Sequence, residues 1–133
     1  MATFHLQIVT PDRKVFDGEA EKIIVRTANG DVCILARHID YAAPLGIGEA
    51  RVTDVEGNTR IAACSGGMIG VSAGEVRVMA TTFEWAEEID LPRAEKAQEA
   101  AKAKLEALDH QDREFAVTEA KLKRALARIH VKG

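Results

Sequence analysis

The chain has 133 residues, of which 47% are apolar and 29% are charged. This length suits one modest domain or a small core with an appendage, and it excludes two full enzymatic domains. The net charge of −3 is weak, and we expect no nucleic acid among the partners.

The first 86 residues are predicted to form a β-sandwich of about ten short strands, because short aliphatic runs alternate with turn signals. Phe4, Leu6 and Ile8 would place three apolar side chains on one face of the first strand. Asp17 and Gly18 are expected to close a second short run. Further turn signals predict tight hairpins at residues 29–30, 56–58 and 72–74.

Two adjacent glycines, Gly66 and Gly67, lie between predicted strands. Only glycine enters the left-handed backbone region at low cost, so a glycine pair predicts a bulge or a close approach of two backbones. Aromatic residues make up only 5% of the chain, and the core is therefore expected to be aliphatic.

After Trp85 the apolar period changes from two to about 3.6, which predicts two antiparallel helices over residues 87–133. Asp90 and Asp112 are candidate N-caps, and Pro92 is tolerated in a first helical turn. The apolar positions have helical spacing: Leu91, Ala94, Ala97, Ala101, Leu105 and Leu108, then Phe115, Leu122, Leu126 and Ile129. Because alanine buries little area, we hypothesise that this hairpin is held less firmly than the sandwich and can detach.

The charge is unevenly distributed along the chain. Residues 1–89 hold eight basic and thirteen acidic residues, whereas residues 90–133 hold ten and eight. No acidic residue follows Lys121. The end of the second helix is therefore expected to attract an acidic partner or a phosphate group.

Cysteine and histidine give no metal-binding pattern. Cys33, His38 and Cys64 could be imagined as soft ligands, but they lack paired short spacing. We predict two buried thiols, a loop histidine and no metal site. The chain also lacks a phosphate-cradling glycine loop, a nucleophile elbow and a zinc helix motif, so no catalytic site of its own is expected.

Several stretches in chain order carry a resemblance to a known family. They are Phe4-His5-Leu6, Val9-Thr10-Pro11, Val15-Phe16-Asp17-Gly18, Val25-Arg26-Thr27, Ala43-Pro44-Leu45, Ser65-Gly66-Gly67, Glu87-Glu88-Ile89-Asp90 and Arg93-Ala94. Over essentially its full length the chain resembles the epsilon subunit of F-type ATP synthases. One loop departs from the family, where Arg37 stands in place of a usual glycine and would enter positive φ only at a cost.

The resemblance implies a regulatory nucleotide site. Ile89, Asp90, Arg93 and Ala94 look like the nucleotide-binding motif of some bacterial epsilon subunits, and Glu84, Arg124 and Arg128 are further candidates for contact with ATP. Free amides at a helix N-terminus and guanidinium groups both attract phosphate. Equally, Asp90 can serve only as an N-cap, and the arginines can form a solvated basic face.

The resemblance also implies a function and partners. The sandwich would bind the gamma subunit and the membrane c-ring, with Asp31 and His38 as candidate contacts. Basic residues of the second helix would reach the catalytic beta and alpha subunits: Lys121, Lys123, Arg124 and Arg128.

The implied protein is a non-catalytic central-stalk (rotor) subunit. It would couple proton translocation to ATP synthesis and inhibit ATP hydrolysis through its C-terminal helices. It would lie at the cytoplasmic face of the cell membrane as a peripheral protein without direct insertion. It would need no cofactor, with ATP as a candidate regulator. The alternative is a stand-alone ATP-sensing module.

Overall fold

The computed structural model describes residues 2–133. Seven strands are followed by a short 3₁₀ turn and two helices. The strands are β1 (Phe4–Val9), β2 (Lys14–Thr27), β3 (Gly30–Leu35), β4 (Tyr41–Pro44), β5 (Ile47–Asp54), β6 (Thr59–Ser72) and β7 (Glu75–Trp85). The 3₁₀ turn, here called the linker turn, is Ala86–Glu88, and the helices are α1 (Leu91–Ala107) and α2 (Arg113–Lys132). The predicted order of a β-sandwich and then a two-helix hairpin is confirmed.

The predicted count of about ten short strands is wrong, chiefly because some predicted runs join into long strands. Asp17 and Gly18 do not end a strand, since both pair with β1 inside the 14-residue strand β2. Strand β6 also has 14 residues and continues through Gly66 and Gly67. The long strands β2 and β6 each pair with several neighbours and so connect the two layers of the sandwich.

The glycine pair in β6 is a close approach rather than a bulge. Gly66 and Gly67 have φ values of 70° and 96°. The pairing with β7 keeps the same register on both sides of Gly66, so no extra residue is inserted. A Cβ atom on Gly67 would lie 1.8 Å from the carbonyl oxygen of Met79. Only a residue without a side chain fits there.

Five strands form a closed hydrogen-bonded circuit in the order β1, β7, β6, β5, β2 and back to β1. The β1–β7 pairing is parallel, and the other four pairings in the circuit are antiparallel. Strands β3 and β4 extend this circuit at β2 and β6. The three predicted hairpin turns join β2 to β3, β5 to β6, and β6 to β7.

The interior of the sandwich is mainly aliphatic, as predicted. Its largest fully buried side chains include Leu6, Ile8, Ile23, Ile34 and Ile69. In β1 and β7 the buried apolar residues alternate with more exposed ones, which is the two-residue period of a strand with one face covered.

The two cysteines occupy different environments. Cys64 is buried, and burial raises the pKa of its thiol to about 12. Cys33 is exposed. The prediction that both thiols are buried is therefore wrong for Cys33, because its neighbour Ile34 takes the inward position of β3.

The helical hairpin lies against the sandwich through α2, which contacts β5, β6 and the linker turn, while α1 packs on α2. Both predicted caps are present. The Asp90 carboxylate accepts from the Arg93 amide at 3.2 Å, and the Asp112 carboxylate accepts from the Glu114 amide at 2.9 Å. Five side chains of the two helices are buried: Ala94, Ala101, Thr118, Ala125 and Val131.

The predicted apolar stripes of the helices are only partly correct. Leu126 is 42% exposed, and Ala97 is exposed as well. Thr118 and Val131, which the predicted stripe of the second helix does not contain, are buried instead, because α2 packs both on α1 and on the strands.

Candidate functional site

A cleft of about 350 Å³ lies where the sandwich, the linker turn and the two helices meet. It is lined by residues from β7, the linker turn, the first two turns of α1 and the last turns of α2. These residues are Glu84, Glu88, Asp90, Arg93, Ala94, Ala97 and Arg128. Its volume falls at the low end of the range of small-molecule sites in proteins.

The N-terminus of α1 opens onto this cleft. The N-cap residue Asp90 occupies one backbone amide of the first turn, and Pro92 has no amide hydrogen to offer. The guanidinium of Arg93 belongs to the same turn, and it forms no ion pair within residues 2–133. The helix dipole and the free guanidinium together favour an anion at this end of the cleft.

The opposite wall of the cleft carries a paired arginine. Arg128 of α2 donates through Nε to the Glu84 carboxylate of β7 at 2.5 Å. The two side chains are 28% and 34% exposed. This pair ties the end of α2 to the sandwich, and it also neutralises the guanidinium that faces the cleft.

The linker turn is held to the sandwich by two further ion pairs. Glu88 accepts from Nη2 of Arg13 at 2.7 Å and from the amide of Trp85 at 3.0 Å. The hydrogen bond from Arg13 lowers the pKa of Glu88 below its ordinary value. Glu87 accepts from Arg60, and this bond lowers the pKa of Glu87.

The Arg60 guanidinium also lies 3.8 Å from the centre of the Trp85 ring. Cation–π contact of this kind stabilises both groups. From the hairpin, Nζ of Lys132 donates to the carbonyl oxygen of Ala86 at 3.1 Å. The linker turn is thus bound on one side by the sandwich and on the other by the end of α2.

The structure brings together five of the seven predicted nucleotide-site residues. They are Glu84, Asp90, Arg93, Ala94 and Arg128. Ile89 is buried next to Ala63 and Val131, so its side chain anchors the chain beneath the cleft.

Arg124 lies apart from the cleft lining. It borders a small depression between α2 and the strands, together with Ser65 and Thr82. Arg124 therefore does not line the cleft together with Arg93 in this arrangement of the helices. Sequence reasoning missed Glu88 as a lining residue. Its partner Arg13 is 75 positions away, which no local pattern encodes.

The four predicted basic contacts of α2 are not equally accessible. Lys121 and Lys123 are exposed, whereas Arg124 and Arg128 are half-buried. Arg124 and Arg128 lie one turn apart on the face of α2 that meets the strands. They become fully accessible only if α2 leaves the sandwich.

Of the other two predicted contact residues, Asp31 lies at the start of β3 and His38 lies in the loop between β3 and β4. The carboxylate of Asp31 accepts from Nε of Arg26 at 2.5 Å across the β2–β3 hairpin. His38 follows Arg37, whose φ of 64° is left-handed. Arg37 therefore keeps the backbone geometry that glycine would adopt more easily. The neighbouring Ile39 is 78% exposed.

Within 2–133, no helix is both long and apolar enough to cross a membrane. The same residues contain no group of three or more histidine, cysteine or acidic side chains placed to hold a metal ion.

Comparison with known families gives the same division of the chain as the coordinates. Residues 3–86 match the β-sandwich domain of the ATP synthase delta/epsilon chain, and residues 87–133 match its long alpha-helix domain. The chain belongs to the ATP synthase delta/epsilon-chain family. The resemblance drawn from the sequence is confirmed.

Individual relatives agree with this assignment. The ATP synthase epsilon chain of Shouchella clausii is 40% identical over 98% of this chain and 96% of its own length. The ATP synthase epsilon chain of Alkaliphilus oremlandii is 45% identical over 80% of this chain and 78% of its own length. Among solved structures, a chain of the Euglena gracilis mitochondrial ATP synthase, from a structure of its OSCP/F1/c-ring, matches with a TM-score of 0.82. It is 25% identical and covers 96% of this chain and 79% of its own.

Proposed function

We propose that this chain is a non-catalytic central-stalk subunit of an F-type ATP synthase, which couples proton translocation to ATP synthesis. The observation that carries the proposal is the match, over 96% of the chain, to a chain within an OSCP/F1/c-ring assembly. The sandwich would bind the gamma subunit and the c-ring at the cytoplasmic face of the cell membrane. Asp31 and His38 are its candidate contacts.

The hairpin would regulate ATP hydrolysis by changing between a docked and an extended form. The two half-buried arginines of α2 support this idea, because undocking would free both guanidinium groups for acidic segments of the catalytic beta and alpha subunits. Lys121 and Lys123 would add to the attraction. In the docked form, Glu84 keeps Arg128 neutralised.

ATP would act as a regulator by binding the cleft in the docked form only. The α1 N-terminus and Arg93 would attract its phosphates, and a carboxylate such as Asp90 can accept from a sugar hydroxyl or the adenine amine. A ligand shifts such an equilibrium only by its differential affinity for the two forms. Bound ATP would therefore stabilise the docked hairpin.

The regulatory role is tested on the assembled complex. ATPase activity is compared between a complex with the full chain and one with a chain truncated after Glu88. We expect higher activity on truncation, because the inhibitory helices are gone. Equal activity would remove the regulatory role and leave the coupling role standing.

The nucleotide site is tested by titrating the isolated chain with ATP in a calorimeter. We expect Arg93→Gln to weaken binding about tenfold, since a charge-assisted hydrogen bond is lost. Arg77→Gln is the matched control, because Arg77 is exposed on β7 and borders a different surface. Equal affinities for both variants and the wild type would place ATP elsewhere.

A stand-alone ATP-sensing module is the second candidate function, because the cleft is built entirely from one chain. Gel filtration of native lysate separates the two candidates. Elution with a large ATPase supports the rotor subunit. Elution only as a small free protein supports the sensor.

A further inference from the structure

Thr118 of α2 holds a polar atom without a partner. The residue is 1% exposed. Within residues 2–133, its Oγ1 is the one buried side-chain nitrogen or oxygen atom that forms no hydrogen bond. A threonine hydroxyl inside a helix commonly bonds to the carbonyl one turn earlier, and this one does not.

Helical geometry places Thr118 on the face of α2 that meets α1. Ala125 follows seven residues later and is buried on the same face. The face toward the strands instead carries Arg124, Arg128 and Val131. Thr118 therefore lies between the helices rather than between the hairpin and the sandwich.

The register of the two helices agrees with this position. Nζ of Lys104 lies 3.1 Å from a carboxylate oxygen of Glu114. Because the helices are antiparallel, one turn forward along α2 from Glu114 corresponds to one turn back along α1 from Lys104. This step brings Thr118 level with Ala100 and Ala101. Ala101 is buried, and alanine side chains offer the hydroxyl no acceptor.

A buried hydroxyl without a partner destabilises only the state in which it is buried. When the helices part, water can hydrogen-bond to it, and the penalty disappears. We infer that Thr118 is a built-in destabiliser of the closed hairpin, which lowers the free energy needed to separate α1 from α2. The residue would set how often the hairpin opens.

This inference goes beyond the proposed function, since it concerns an equilibrium of the chain by itself. The proposed regulation needs a hairpin that opens, but it does not say which residue sets the opening constant. The ion pair of Arg128 with Glu84 near the C-terminal end of α2 holds the hairpin to the sandwich, whereas Thr118 would act on the contact between the helices.

The test is hydrogen exchange of the isolated full chain, read in the amides of α1 and α2. Thr118→Val removes the hydroxyl while keeping the shape and nearly the same helix propensity. We expect exchange through hairpin opening to slow by about tenfold, because the closed state no longer buries an unpaired polar group. Thr118→Ser keeps the hydroxyl, and we expect no slowing.

Val117→Thr is the matched control, because Val117 is the neighbouring residue and is 55% exposed. Adding a hydroxyl in that solvated position should leave exchange unchanged. If exchange in Thr118→Val is unchanged or faster than in the wild type, the inference is wrong. Should the valine variant fail to fold, Thr118→Ala against Thr118→Ser decides, and equal or faster exchange in the alanine variant overturns it.

A second measurement separates this inference from the proposed regulation. The Thr118→Val chain is assembled into the complex, and ATPase activity is measured. Slower exchange with altered hydrolysis supports both ideas. Slower exchange with unaltered hydrolysis leaves the role of Thr118 intact and contradicts the regulatory hairpin.

Discussion

The sandwich buries larger apolar side chains than the helical hairpin does. The fully buried side chains of the sandwich include Leu6, Ile8 and Ile69, whereas the buried residues of the hairpin are three alanines, one threonine and one valine. Free energy from burial scales with apolar area, at roughly 25 cal/mol per Å². One short chain can thus combine a firmly held body with a lightly held arm.

The largest effect expected from this comparison is that of a core deletion. Leu6→Ala should lower the free energy of unfolding by about 4 kcal/mol, because it leaves a cavity in the sandwich. Val131→Ala removes a buried group from the hairpin and should lower it by only about 1 kcal/mol. Urea denaturation of the two variants measures both values. Equal losses would contradict the difference between the regions.

The close approach of the β6 backbone at Gly67 to β7 should be nearly as sensitive to substitution. Gly67→Ala would force a Cβ atom against the carbonyl of Met79 and strain a left-handed residue, so we expect a loss of about 3 kcal/mol. Gly57→Ala is the control, since Gly57 also has positive φ but no atom within 4 Å of an added Cβ. Gly57→Ala should lower the free energy of unfolding by about 1 kcal/mol. Thermal unfolding would show whether the clash, rather than φ alone, makes the difference.

A smaller effect is expected where the hairpin meets the sandwich. Glu84→Gln removes the charge that holds Arg128, so the amides of α2 should exchange about two to five times faster. Glu119→Gln affects an exposed pair with Lys123 within α2 itself and serves as the control. An effect no larger than that of the control would show that the Glu84 pair does not hold the arm.

The smallest expected effect is the loss of stability of the linker turn at acidic pH. The pKa of Glu88 is lowered in the folded chain by its hydrogen bond from Arg13, and that of Glu87 by its hydrogen bond from Arg60. The stabilisation is therefore complete above the ordinary pKa of 4.5 and is lost as the pH falls through the lowered value. Fluorescence of Trp85 should report a loosened linker turn below about pH 4.5.

Glu88→Gln tests the origin of that acid response. The variant lacks one titrating group, so its fluorescence should change less between pH 5 and pH 3 than that of the wild type. An unchanged profile would assign the acid response to other carboxylates, such as Asp17, whose pKa is also lowered.

Much of the fold could be predicted from the sequence because its signals are local. Apolar alternation, the two N-caps and the hairpin turns each depend on residues within one turn or one strand. The strand count failed at Asp17 and Gly18, since a common turn pair is overruled there by pairing with β1. Local chemistry could not show that a distant strand would hold this segment extended.

The candidate site was less predictable because its geometry depends on packing between distant segments. Asp90, Arg93 and Ala94 are neighbours in sequence, so they line the same cleft. The pairing of Arg13 with Glu88 has no local signature. Arg124 and Arg128 share a helical face and both border the depression between α2 and the strands, yet only Arg128 also lines the cleft.

The closed circuit of five strands has a mechanical consequence. Closure gives each of the five strands two hydrogen-bonded neighbours, whereas an open sheet would leave an edge strand at each side. A strand in such a loop is bonded along both sides, so it cannot slip by one residue without breaking two ladders at once. A load applied to any one of these five strands is therefore shared by its neighbours, and the body resists shearing between them.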